Sequence, residues 1–171
     1  MTYTLNKNYD EIKNLIQNET LRDLVDDTIT KTGMDEEKVN YATEVAHWCY
    51  KLLEDRGVVT DNVHQGFVDV ILFGALIHNA YTTLNKDDPD SHIYDVFKAR
   101  ENLDDFFANK GVPSDYRNSI FQLIESQYGA TFEIPYVRPQ ADSPQSTLAT
   151  AKFIVDTIEN NLVNCHDDSD H

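Results

Sequence analysis

Hydrophobic residues recur every three or four positions along most of this chain, which is the spacing of one face of an α-helix. The pattern predicts a weak first helix over residues 5–18 and a second helix that ends near Gly33. The buried face of the second helix is predicted to consist of Leu21, Leu24, Val25 and Ile29. No convincing pair of segments shows the alternating pattern of paired strands, so the chain is predicted to be all-α.

The third predicted helix has signals at both of its ends. Asp35 can cap its first turn, where the acidic residues Glu36 and Glu37 would face the positive end of the helix dipole. Gly57 suits the conformation that follows many helices, so this helix should run to about Arg56. Its apolar face is predicted to consist of Val39, Ala42, Ala46, Cys49 and Leu53.

The fourth predicted helix, over residues 63–83, is apolar on nearly all sides between Phe67 and Ile77. A helix with this composition is typical of the buried centre of a bundle. Loops that are acidic or contain proline separate the remaining helices. These helices are predicted at residues 92–109, 115–128 and 147–162.

The chain of 171 residues is therefore predicted to be a single-domain helical bundle of six or seven helices. Residues 1–34 would form N-terminal helices that pack on a core at 35–163, and residues 164–171 would form a flexible acidic tail. Cys49 and Cys165 provide neither a disulfide framework nor a CxxC motif, which fits a reducing compartment.

The chain carries a formal charge of -16, from 30 acidic and 14 basic side chains. Such a surface repels phosphate backbones and anionic lipid head groups, which argues against a large nucleic-acid interface and a membrane partner. Small anions stay open as ligands, because a cation inside a cleft can reverse the local field. The N-terminus lacks the apolar core of a signal peptide, so the protein is predicted to be cytoplasmic. Whether it forms a homo-oligomer is left open.

Four polar residues lie among apolar ones on the predicted helices: His47, His78, Asn79 and Asp156. Burying an unpaired charge is very unfavourable, so a carboxylate such as Asp156 needs a partner or a metal ion. Imidazole nitrogens and carboxylate oxygens bind divalent cations, and a helical bundle can gather them from distant parts of a chain. The alternative is that each histidine is an ordinary core residue whose hydrogen bonds are satisfied.

The order of these residues resembles the HD superfamily of metal-dependent phosphohydrolases. That family carries a histidine on one helix, a His-Asp doublet at the end of the next and an aspartate on a late helix. Here His78 follows His47 by 31 residues, the small and apolar run GALI precedes the doublet, and Asp156 lies on the last helix. The resemblance covers about residues 35–162 and implies an HD-type bundle in which these three residues and Asn79 hold a metal ion.

The resemblance also implies a reaction. A divalent ion (Mn, Co, Fe, Mg or Ni) would polarise a phosphoryl oxygen of a nucleotide or another small phosphate ester and would activate a bound water. Asp87, in the loop after the doublet, is the candidate for handling the proton. Asp87 can equally be a solvated loop residue with no chemical role.

Several positions depart from the family pattern. Asn79 replaces the aspartate of the doublet, and its neutral carbonyl should bind a metal more weakly. Thr82 lies where nucleotidase-type members often carry a glutamate, and Gln127 lies where two-metal members often carry a further histidine. His92 is close to a second such position, although a surface histidine at a helix start explains it equally well. These departures argue against a two-metal site.

Arg138 and Lys152 are candidates for holding the phosphate of a ligand. Prolines on either side of Arg138 stiffen the backbone, and Tyr136 beside it can stack on a nucleotide base. Arg138 can equally be a surface residue, and Lys152 can equally form an ordinary ion pair with Asp156 one helical turn later.

Two hypotheses about function follow from the sequence. The first is a metal-dependent phosphohydrolase acting on a nucleotide or another small phosphate ester. The second is an HD-like module that has lost catalysis and binds a nucleotide or a protein partner without turnover. A third interpretation, an acidic inhibitor that mimics nucleic acid, is supported only by the charge of -16.

Overall fold

The structure is a computed structural model that describes residues 8–60, 64–80, 91–126 and 143–168, with the backbone alone for residues 60, 91–99 and 159–168. The described residues form seven α-helices and one short 3-10 helix and contain no strand, which confirms the predicted all-α single-domain bundle. The α-helices are α1 (Asn8–Asn14), α2 (Glu19–Thr32), α3 (Glu36–Asp55), α4 (Gln65–Ile77), α5 (Ser91–Asn109), α6 (Ser114–Ser126) and α7 (Pro144–Asp168), and the 3-10 helix is Val58–Thr60. None of these helices combines the length and the apolar character needed to cross a bilayer.

The predicted end of α2 and the predicted start of α3 are confirmed by capping contacts. Gly33 follows α2 in the left-handed region, at a φ of 66°. Asp35 Oδ1 then accepts a hydrogen bond from the Lys38 amide, 2.8 Å away, in the first turn of α3. The same type of bond joins Asn18 Oδ1 to the Leu21 amide at the start of α2, at 3.1 Å. Each cap satisfies an N–H group that has no partner inside its own helix.

Other helix ends differ from the prediction. The first helix is short and ends at Asn14. The last helix begins at Pro144. Proline suits this position because backbone N–H groups in the first turn have no partner inside the helix, so the N–H that proline lacks is not needed. Ser143 caps this start, since its Oγ accepts a hydrogen bond from the Ser146 amide at 3.0 Å. The helix continues to Asp168, so its last turn covers most of the segment that the sequence assigned to an acidic tail.

The fourth helix occupies the centre of the bundle, as its composition predicts, and contacts α1, α2, α3, α6 and α7. Every residue from Val68 to Ile77 is buried. The Phe107 ring of α5 packs against Phe73 of α4 and Phe121 of α6, with ring centroids 5.5 Å and 5.6 Å apart. Each large apolar side chain buried in this way stabilises the fold by roughly 1.5–3 kcal/mol.

One carboxylate, that of Asp69, lies inside this apolar helix and is 3 % exposed. It accepts hydrogen bonds from the backbone amides of Gln17 and Asn18, at 2.9 Å and 3.0 Å, and from Gln65 Nε2 at 2.9 Å. Three donors compensate the desolvation of the carboxylate. Asp69 therefore fastens the turn between α1 and α2 to the central helix.

Helices α3, α4 and α7 run side by side, and their packing positions the polar residues discussed below. Tyr41, near the start of α3, contacts both the end of α4 and the middle of α7. Arg56, just after the other end of α3, donates a hydrogen bond to Thr147 Oγ1 near the start of α7, at 2.7 Å. Helix α7 is therefore antiparallel to α3, and the end of α4 lies beside the first turns of α3.

Candidate functional site

His78 lies directly after the last residue of α4 and is 1 % exposed. Its Nδ1 is 2.6 Å from the main-chain oxygen of Ala75. Because a carbonyl oxygen can only accept, Nδ1 carries the hydrogen and the lone pair of the neutral ring belongs to Nε2. The imidazole is thus held in one tautomer by its own helix.

The charge state of His78 is set mainly by its surroundings. Burial, and to a smaller extent the nearby charge of Lys152, lower its pKa from the usual 6.5 to about 3, against an opposing effect of the hydrogen bond to Ala75. The ring is therefore uncharged at neutral pH. A neutral imidazole can accept a proton or a hydrogen bond at Nε2 but adds no positive charge to the site.

Tyr41 links His78 to Asp156. The Tyr41 ring centroid is 5.8 Å from that of His78, and the Tyr41 hydroxyl donates a 2.6 Å hydrogen bond to Asp156 Oδ1. Asp156 itself is exposed. The sequence did not single out Tyr41, because a tyrosine beside an apolar stripe carries no signal of its partners. The structure thus brings His78 and Asp156 to one place, with a phenol between them.

Lys152 belongs to the same cluster. It lies one turn before Asp156 on α7 and is half-buried. Burial lowers the pKa of its ammonium group, and the charge of Asp156 opposes this shift in part. Lys152 was predicted to be either a phosphate ligand or a partner of Asp156. Its charge also lowers the pKa of His78. Tyr41, His78, Lys152 and Asp156 are called the four-residue cluster below.

His47 is not part of this cluster. It is half-buried on α3, with its ring centroid 5.8 Å from that of Trp48. The α3 residue that contacts His78 is Tyr41, and His47 lies six positions later. Six positions correspond to about 9 Å along a helix and roughly a third of a turn around it. The predicted ligand set of His47, His78 and Asp156 is therefore not assembled in this structure.

The side chains of the described residues offer no alternative ligand set. Within residues 8–60, 64–80, 91–126 and 143–168, no three His, Cys, Asp or Glu side chains are grouped so that they could hold a metal ion. The donor set that the resemblance implies for a metal thus does not fit this part of the chain.

Asn79, the position that departs from the His-Asp doublet, has a structural role. It is 8 % exposed, and its Nδ2 donates a hydrogen bond to the main-chain oxygen of Lys38 at 3.0 Å. This bond ties the residues after α4 to the first turn of α3. An ionised aspartate has no hydrogen to donate, so the asparagine fits this contact better than the residue of the family pattern.

The remaining predicted site residues lie outside the described residues. They are Thr82, Asp87, Gln127, Tyr136 and Arg138, while His92 lies in the part of α5 for which only the backbone is described. The roles predicted for them stay predictions: Asp87 as proton carrier, Tyr136 as base-stacking partner and Arg138 as phosphate ligand. The same holds for the departures from the family pattern at Thr82 and Gln127. The described site is therefore the four-residue cluster, formed by α3, the end of α4 and α7.

Three comparisons with known proteins returned no match: no family model, no curated protein and no solved structure is similar to this chain. The resemblance to the HD superfamily therefore rests on the residue pattern alone. The function has to be argued from the chemistry of the four-residue cluster.

Proposed function

We propose that this protein is an HD-like helical module that binds a small phosphorylated ligand, such as a nucleotide, without hydrolysing it. One observation carries the proposal. The cation of the four-residue cluster is Lys152, whose charge lowers the pKa of His78 and whose own pKa, lowered by burial, is raised in part by the charge of Asp156 one helical turn away. In the metal-dependent hypothesis the positive charge between a histidine and an aspartate belongs to a metal ion; here an amine of the chain supplies a positive charge.

The cluster offers complementary groups to such a ligand. The Lys152 ammonium can donate hydrogen bonds to phosphate oxygens, and a charge-assisted hydrogen bond of this kind is worth about 1.5–3 kcal/mol. Nε2 of the neutral His78 can accept a hydrogen bond from a ligand hydroxyl group. The Tyr41 hydroxyl donates a hydrogen bond to Asp156. This bond partly compensates the negative charge of the carboxylate that would lie nearest to the phosphate. A phosphate bearing a hydroxyl-containing group fits these donors and acceptors.

The positions of His47 and Asn79 favour binding over hydrolysis. Hydrolysis by the metal route would need His47 in one ligand set with His78, but the α3 residue that contacts His78 is Tyr41, six positions before His47. The Nδ2 group of Asn79 donates to the Lys38 backbone, a contact that an aspartate could not make. Without His47, the ligand set that the resemblance requires for activating a water molecule is incomplete.

Calorimetric titration of the full chain with AMP, ATP and inorganic phosphate tests the proposal. Binding should persist in excess EDTA, and no phosphate should be released. Lys152→Met should weaken binding about tenfold or more, which corresponds to one charge-assisted hydrogen bond. The matched control is Lys51→Met, because the Lys51 side chain is 51 % exposed and lies on the C-terminal half of α3; it should bind like the parent chain.

Two results would reverse the assignment. Phosphate release that depends on added manganese, cobalt or magnesium and is abolished by His78→Ala would establish the hydrolase instead. Equal affinities of the Lys152→Met and Lys51→Met variants would show that the four-residue cluster is not the binding site.

A further inference from the structure

Helix α7 presents an apolar ring to the solvent on its outer surface. Phe153 is 71 % exposed, and Ile158, at 42 %, is the other exposed large apolar side chain among the described residues. The opposite face of α7 packs into the core through Leu148, Ala151 and Val155. Because contact of an aromatic ring with water is unfavourable, covering Phe153 with a partner would be favourable.

Phe153 lies in a row of uncharged residues along this helix. Ser146, Ala149, Phe153 and Thr157 are spaced by three or four positions, which places them along one face of α7. Ala149 is exposed like Phe153, and Ser146 and Thr157 are half-buried. These four residues are called the outer face of α7 below. Small side chains on both sides of the phenylalanine ring allow another helix to approach closely.

The outer face lies in a part of the chain that has little negative charge. Residues 143–155 contain no acidic side chain, although the whole chain has 30 acids and a formal charge of -16. The only longer sequence without an acid, residues 70–86, includes the buried part of α4. Two copies of so acidic a protein repel each other. Contact through the outer face brings few of their acids together.

We propose that the outer face of α7 binds the same face of a second copy, so that two α7 helices pack antiparallel about a two-fold axis at Phe153. The face is symmetric in its spacing, since Ala149 and Thr157 each lie four positions from Phe153. In an antiparallel pair each Ala149 meets the partner's Thr157, and the two phenylalanine rings meet on the axis. Such a self-complementary patch is what a two-fold dimer requires. This dimer is independent of the phosphate binding proposed above.

The distribution of acids along α7 favours the antiparallel arrangement over the parallel one. The second half of the helix carries Asp156, Glu159, Asp167 and Asp168, and the first half carries no acid. Parallel packing would set the two acidic halves side by side. Antiparallel packing sets each acidic half beside the acid-free half of the other copy, and the opposed helix dipoles add a smaller favourable contribution.

A single pair of helices forms a small interface. Stable interfaces bury about 1,200–2,000 Å² in total, and smaller ones are typical of weak, reversible complexes. We therefore expect a dimer with a Kd in the micromolar range. Because salt screens the repulsion between the two acidic copies, the dimer should become several-fold stronger between about 0.05 M and 0.5 M NaCl.

Sedimentation equilibrium of the full chain, over a range of protein concentrations and at both salt concentrations, tests the proposal. Phe153→Ser should weaken the dimer about tenfold or more, as expected for the central residue of an interface. The matched control is Ile158→Ser, because five positions place Ile158 roughly 140° around the helix from Phe153; it should associate like the parent chain.

A second pair of variants tests the charge argument. Ala149→Glu puts an acid into the outer face and should also weaken the dimer. Ser119→Glu adds the same charge at an exposed position of α6 and should have a much smaller effect. Urea denaturation of each variant shows whether its monomer is as stable as the parent, so that a loss of association is not mistaken for a loss of folding.

Cysteine cross-linking tests the orientation. In chains that also carry Cys165→Ser, a mixture of the Ala149→Cys and Thr157→Cys variants should form disulfide-linked dimers faster than either variant alone. The buried Cys49 does not compete. The proposal is overturned if the parent chain stays monomeric at every concentration and both salt concentrations, if Phe153→Ser associates like the parent, or if each cysteine variant cross-links faster alone than in the mixture.

Discussion

The side-chain amide of Asn79 donates a hydrogen bond to the main-chain oxygen of Lys38, 3.0 Å away, and so joins the residues after α4 to the first turn of α3. The bond gives a physical reason for asparagine at the position where the HD pattern has aspartate. It also fixes the level at which α3 and α4 meet, which in turn places Tyr41 against His78.

Asn79→Asp should therefore destabilise the fold rather than restore a metal site. The substitution removes the donor and points a carboxylate at a carbonyl oxygen in a position that is 8 % exposed. The expected loss is about 1–3 kcal/mol in the free energy of unfolding, measured by urea denaturation at neutral pH. The control, Asn14→Asp at the exposed end of α1, should change stability by less than about 0.5 kcal/mol. An Asn79→Asp chain as stable as its parent would contradict the assigned role.

Asp69→Asn should have a larger effect. Its carboxylate receives two backbone N–H groups of the α1–α2 turn, and an asparagine would offer one oxygen and turn an NH₂ group toward the second donor. The expected loss is about 2–4 kcal/mol, again by urea denaturation. Asp27→Asn is the matched control, because Asp27 is half-exposed and lies 3.6 Å from Lys110; such surface pairs contribute about 0–1 kcal/mol. Equal losses in the two variants would show that the buried hydrogen bonds of Asp69 stabilise the fold no more than the surface ion pair of Asp27 does.

His78 should make the stability depend on pH. Its folded-state pKa of about 3 lies below the ordinary 6.5, so the unfolded chain binds a proton that the folded chain does not. The stability from the neutral ring is present above about pH 6.5 and is lost as the pH falls toward 3, by up to about 1.4 kcal/mol per pH unit. His78→Gln should flatten this part of the profile between about pH 7 and 5 in urea titrations.

His64→Gln is the control for that profile, because His64 is exposed. Its pH dependence should match that of the parent chain. If the His78→Gln and His64→Gln variants follow the same curve, His78 is not the source of the dependence.

The fold was largely predictable because its signals are local. The Asp35 cap, the glycine after α2 and the all-round apolar character of α4 each follow from neighbouring residues, and each is confirmed. The role of Asp69 was not predictable. A single acid inside an apolar helix indicates that a partner exists. Besides Gln65 one turn away, however, its partners are two backbone amides more than 50 residues away, and the packing of α1 and α2 determines these.

The site was predictable only in part for a related reason. Sequence singled out His78, Lys152 and Asp156, and the structure places Tyr41 between the first and the last of these. The resemblance paired them with His47. An interval of 31 residues between two histidines does not show which turns of two packed helices face each other. In the structure the α3 residue that faces His78 is Tyr41.

A close contact between Gly74 of α4 and Leu123 of α6 gives a last prediction. A Cβ added at Gly74 would lie 2.5 Å from Leu123 Cδ2, so the leucine must move. Alanine gains about 1 kcal/mol of helix propensity over glycine, and overpacking costs about 1–3 kcal/mol. Gly74→Ala should therefore be destabilising by up to about 2 kcal/mol in urea denaturation.

A double-mutant cycle isolates this contact. Leu123→Ala alone should cost about 2–5 kcal/mol, because it opens a cavity beside α4. With Gly74→Ala also present, the new methyl group enters that space, so the double variant should be more stable than the sum of the two changes by about 1 kcal/mol or more. Gly33→Ala is the control partner, since nothing lies within 4 Å of its added Cβ and its strain comes from a φ of 66°. That pair should be additive within about 0.5 kcal/mol, and equal coupling in both cycles would mean that Leu123 does not pack on Gly74.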